Sequence, residues 1–110
     1  MSLGLAALGQ WLAGFAFTQA IEVPLYLRLT GSWRVSVTAS ALTHPLVWFL
    51  FPLLPLPYWV MLGCAETFAV VVEGAWLKWN EVDRAYFLSL LVNATSFTVG
   101  LLLRLVFGAP

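Results

Sequence analysis

Residues 58–77 read YWVMLGCAETFAVVVEGAWL, an apolar run holding two carboxylates, Glu66 and Glu73. About 20 such residues cross the ~30 Å of bilayer hydrocarbon as an α-helix. A charge at mid-bilayer costs roughly 2.5–3.5 kcal/mol on insertion scales. Ionisable groups retained inside such a run therefore mark a site. Three more segments of similar length and character flank it, at about 5–27, 35–53 and 85–107, with the central one at 58–77. They add Glu22, His44, Asn93 and Ser96 to the polar groups inside apolar sequence. The expected fold is all-α: a polytopic membrane protein built as a four-transmembrane-helix up-down bundle.

The bulk composition agrees. The 110 residues are 62% hydrophobic, with five basic and five acidic side chains, and the mean hydropathy is +0.93. This excludes an ordinary soluble domain and a nucleic-acid binder that relies on a basic surface. Residues 1–110 read as a single integral-membrane domain, without repeats or linkers. The lone Cys64 lies in an apolar run, supports neither a disulfide framework nor a thiolate cage, and reads as a packing residue. The first segment runs on to Leu27 with no Lys or Arg before it and no small-x-small cleavage site after it. It is expected to be a retained membrane helix rather than a signal peptide.

Short connections force neighbouring helices to run antiparallel. Thr30-Gly31-Ser32 supplies a turn, Pro52, Pro55 and Pro57 break the chain before the third span, and Asn80 and Asp83 lie in the third connection. Trp33, Tyr58, Trp59, Trp76, Trp79 and Tyr86 fall near span ends, where amphipathic rings favour the headgroup region. Loops one and three carry Arg28, Arg34, Lys78 and Arg84; the other side has Arg104, within snorkelling reach of its helix end. The positive-inside rule then puts these loops in the cytoplasm and both termini on the non-cytoplasmic side of a cell inner (plasma) membrane.

At ~1.5 Å per residue, sequence position becomes depth. Glu22 and Glu73 are expected as a carboxylate pair in the cytoplasmic third, with His44, Glu66, Asn93 and Ser96 clustered nearer the middle. Helical spacing supports convergence: Trp11, Phe15, Thr18 and Glu22 share one face, as do Ser36, Ser40 and His44, then Glu66 and Glu73, then Ser89, Asn93, Ser96 and Gly100. Each has a structural alternative. Serines and threonines bond their own backbone or join helices, Asn93 serves as an interhelical clasp, His44 hydrogen-bonds a neighbouring helix, and Glu22 pairs with Arg28 or Arg84. Glu66 and Glu73 resist that reading most, because two carboxylates on one buried face repel unless a proton or cation intervenes. Pro45 is expected to kink the second span against the carbonyl of Ala41, beside Thr43 and His44, and Pro24 to distort the first.

The function expected from these residues is non-enzymatic: a small subunit or assembly component of a larger membrane complex, contacting lipid and membrane-protein partners or further copies of itself. One alternative is a homo-oligomeric proton- or cation-coupled transporter or channel, in which buried carboxyls exchange protons and His44 relays them. The small multidrug resistance transporters match in size, but their first-span Ala-Glu context and Trp-Ser-Gly pattern are absent. A second alternative is a divalent-metal site using His44 and Glu66. No E-x-x-H, H-E-x-x-H or nucleophile motif points to catalysis, and no haem motif appears, so no cofactor is expected.

Thr43-His44-Pro45-Leu46-Val47-Trp48, taken with Glu66 through Glu73 and Asn93 through Ser96, resembles uncharacterised small bacterial four-helix membrane proteins. These pair a Thr-His/Asn-Pro segment in span two with E-x6-E in helix three and N-x2-S in helix four. Glu22-Val23-Pro24 extends the pattern. The resemblance spans most of the chain and implies that these polar positions form one unit; it implies no substrate.

Overall fold

Gly31 and Ser32 set the first corner. Gly31 adopts φ +73°, in the left-handed region that glycine enters without a Cβ penalty. Its N–H donates to the carbonyl of Leu27 at 2.8 Å, closing α1 (Ser2–Thr30). Ser32 then caps α2 (Trp33–Pro45), its hydroxyl accepting from the Val35 amide at 3.2 Å and satisfying a donor with no partner inside the helix. So tight a corner folds α2 back along α1. The computed structural model describes residues 2–107, with the side chains of 2–11, 48, 52 and 104 outside that description. The expected inward face of Trp11, the snorkelling of Arg104 and the side on which the termini lie fall outside the described residues.

Pro45 ends α2. It has no N–H to donate, and its ring crowds the carbonyl one turn back. The chain continues as a π-helical turn, Leu46–Leu50, and a 3-10 turn, Phe51–Leu53. The expected second span at 35–53 is therefore not one α-helix but a helical path whose pitch changes at Pro45. The helices α3 (Tyr58–Trp79) and α4 (Ala85–Phe107) follow. Both are long and apolar enough to cross a membrane. Among the described residues every regular element is helical. Against expectation, α1 runs beyond 5–27 at both ends and α3 continues past Leu77, because polar residues at the interface still complete backbone hydrogen bonds.

The helices close into a ring: α3 packs mainly on α4 and α1 on α2, while α2 meets α3 and α1 meets α4. One guanidinium N–H of Arg34 donates to Asn80 Oδ1 at 3.2 Å, so the first and third connections share one end of the bundle. Gly74 lets α3 and α4 approach, since a Cβ there would run into the Tyr86 ring. Trp33, Trp59 and Trp79 are exposed near helix ends as expected. Trp76 differs: it is half-buried and donates its indole N–H to the Val35 carbonyl at 3.1 Å.

The interior is unusually polar. Among the described residues its buried apolar side chains are Ala39, Ala65, Ala69 and Ala85, then Val23, Val35 and Val92, and the larger Tyr26 and Leu77. Interleaved with them are Glu22, Ser36, Ser40, Thr43, His44, Glu73, Ser89 and Asn93, all buried. The outside carries large apolar groups such as Leu53, Val71, Phe87, Leu102 and Leu105. Water-soluble folds have the reverse distribution; a polar interior within an apolar shell suits lipid. Small residues at the contacts let backbones come close enough for side chains to bond across helices.

Candidate functional site

Glu73, on α3, is joined to all three other helices. Its Oε1 accepts from the Tyr26 hydroxyl of α1 at 2.6 Å and from the Asn93 amide of α4 at 2.9 Å. Its Oε2 accepts from the Thr43 hydroxyl of α2 at 2.7 Å. Asn93 is held for this role by its own helix: Nδ2 also donates to the Ser89 carbonyl at 2.9 Å. The Ser89 hydroxyl donates in turn to the Val70 carbonyl of α3 at 2.8 Å. Interhelical bonds in membranes average ~0.6 kcal/mol, so the three on Glu73 together contribute roughly 2 kcal/mol.

Glu22, on α1, forms a second junction. Oε1 accepts from the Ser40 hydroxyl of α2 at 2.9 Å, and Oε2 from the Ser96 hydroxyl of α4 at 2.6 Å. Glu22 and Glu73 thus take neutral donors on every carboxyl oxygen. The expected pairing of Glu22 with Arg28 or Arg84 is replaced by these two serines.

His44 and Glu66 stand apart from these junctions. His44 is buried, its ring tilted against that of Phe15 with centroids 5.1 Å apart. Glu66 is half-buried and lines a cleft between α3 and α4 that also touches Asn93. Among the described residues no group of three or more His, Cys, Asp and Glu side chains converges to hold a metal ion. His44 and Glu66 are not brought together with a third such ligand.

The expected two layers regroup. Asn93 belongs with Glu73, and Ser96 with Glu22, so each carboxyl group draws a partner from what had been read as a separate central cluster. Depth alone misassigned them because side-chain reach and helix rotation, not level, select partners. Tyr26 was missed: near the end of the first apolar segment it was not singled out, yet it is completely buried. Its signal was the four-residue spacing from Glu22, which puts both on one helix face. Thr43, read only as a neighbour of the proline break, is a direct partner of Glu73, and Ser40 of Glu22.

Chemically, the interior is a pair of carboxyl groups coordinated by hydroxyls and one amide. It fastens four helices through two side chains, with Glu66 as the acidic group that faces a cleft. No family model, curated protein or solved structure matches the chain.

Proposed function

We propose that the chain is a small non-enzymatic integral-membrane component of a larger assembly in the cell inner membrane, crossing the bilayer four times. One observation carries the reading: all carboxyl oxygens of Glu22 and Glu73 accept hydrogen bonds from side chains of other helices. A group that turns over a substrate or passes ions along needs coordination left for the passenger to complete. Carboxyls whose every oxygen is bonded to another helix instead fasten a bundle that presents its outer surface to lipid and partner helices. The 29 residues of α1 span ~44 Å, and the helical path from Trp33 to Leu53 reaches ~30 Å, lengths that support two further crossings beside α3 and α4. The basic residues of the first and third connections sit at the end joined by Arg34 and Asn80, which supports a cytoplasmic assignment for it.

Purification from native membranes in mild detergent tests the proposal. A stoichiometric membrane-protein partner is expected; a chain that purifies only with copies of itself overturns it. The second reading, a homo-oligomeric proton- or cation-coupled transporter, draws on Asn93, which donates to Glu73 inside the bundle and also lines the Glu66 cleft. Isolation as a homo-oligomer that gives pH-dependent flux in liposomes favours that alternative.

A further inference from the structure

The α3–α4 cleft is an open groove of about 460 Å³, lined among others by Trp59, Leu62, Glu66, Val70, Asn93 and Phe97. That volume lies within the ~300–1,000 Å³ typical of small-ligand sites, and the walls are apolar and aromatic as such sites require. The carboxylate of Glu66 differs from its two interior counterparts: no described donor reaches it. Thr67, at the same cleft, already donates its hydroxyl to the Gly63 carbonyl at 2.8 Å. The amide of Asn93 is engaged by Glu73 and the Ser89 carbonyl. An acceptor among apolar walls is costly until a donor arrives, and most favourable when that donor is charged.

The position of the cleft narrows the donor. Glu66 lies more than two turns inside α3, and the cleft is bounded by the two helices most apolar in character, so a ligand enters from hydrocarbon rather than from water. It needs a lipophilic body for Leu62 and Val70 and a cationic N–H head for Glu66. Trp59 and Phe97 line the same cleft, and aromatic rings are favourable neighbours for a cation. We propose that the α3–α4 cleft binds a lipid-soluble amine, with its ammonium donating to the Glu66 carboxylate. The site goes beyond the subunit reading and needs only that the cleft face lipid.

The probe is a radiolabelled lipophilic phenylalkylamine, measured by equilibrium dialysis against the full chain in nanodiscs, with empty nanodiscs as background. One saturable site is expected, absent for the N-acetylated, neutral form of the same amine. Glu66→Gln is expected to weaken binding about tenfold or more, the loss of one charge-assisted contact. Ala94→Trp keeps the carboxylate and fills the cleft from an exposed position, and is expected to abolish binding. Thermal unfolding of each variant checks that it folds; if Glu66→Gln does not, Ala94→Trp decides alone. Uptake equal to that of empty nanodiscs, or affinity unchanged in the folded variants, overturns the proposal.

Discussion

The phenolic oxygen of Tyr26 lies 2.6 Å from Oε1 of Glu73, so two residues 47 positions apart meet in the middle of the bundle. The contact gives a buried tyrosine the partner its hydroxyl requires and brings a carboxyl oxygen to full coordination. Tyr26→Phe removes one donor and little volume. It is expected to lower stability by ~1 kcal/mol, read as a lower unfolding midpoint in detergent. Tyr86→Phe, at a side chain 45% exposed, is expected to leave the midpoint in place.

Glu73 separates shape from charge. In Glu73→Gln the carbonyl continues to accept from Tyr26 and Asn93, while the new amide faces Thr43, whose hydroxyl rotates to accept. That variant is expected to stay within ~1 kcal/mol of the parent. Glu73→Leu leaves three donors without acceptors and is expected to cost about 3 kcal/mol or more. Chemical or thermal unfolding of both compares them directly. A glutamine as harmful as leucine would mean that the negative charge, not the acceptor pattern, holds the helices.

Glu22 and Ser96 couple α1 to α4. A double-mutant cycle with Glu22→Leu and Ser96→Ala, each of which removes the contact, is expected to give an interaction energy of ~0.6 kcal/mol and no more than ~1.7 kcal/mol, the average and the maximum for interhelical hydrogen bonds in membranes. Additive effects of the two substitutions would contradict the 2.6 Å contact between them.

Gly31 and Gly63 are glycines of different kinds. Gly31 has φ +73°, whereas Gly63 lies inside α3, and a Cβ at either meets nothing within 4 Å. Gly31→Val forces a β-branched residue into the left-handed region and is expected to cost about 1–3 kcal/mol through backbone strain alone. Gly63→Ala is expected to be neutral or slightly stabilising, because alanine is the better helix former by ~1 kcal/mol. Parallel unfolding curves for the two variants test the contrast.

Much of this was legible in local chemistry. Thr30, Gly31 and Ser32 announced a turn, and Pro45 announced a break within the second span, though not that α2 ends there. Asn93 was readable as an interhelical clasp, since an amide inside an apolar helix needs a partner and α3 offered carboxylates. The site was less legible where it depended on neighbours. Glu66 and Glu73 share a face by spacing, yet only Glu73 meets donors. After Pro45 the chain becomes a π-helical turn and then a 3-10 turn, and it packs the Phe51 ring against Phe68 of α3, 5.3 Å between centroids, while Glu66 faces the α3–α4 cleft. Nothing in the sequence near Glu66 encodes the pitch of a segment so far from it. Tyr26 escaped for a related reason: tyrosine suits an interface as well as an interior, and only the approach of α3 selects between them.

The interior network also imposes an order on biogenesis. Glu22 receives Ser40 from the adjoining helix, 18 residues on, but Ser96 only 74 residues later. Glu73 likewise finds Tyr26 and Thr43 behind it in the chain and waits for Asn93. A chain folded only through α3 therefore holds Glu22 with one of its two donors and Glu73 with two of its three. Arrival of α4 completes both at once. α4 is the latch: without it Glu22 lacks Ser96 and Glu73 lacks Asn93, and neither junction is complete.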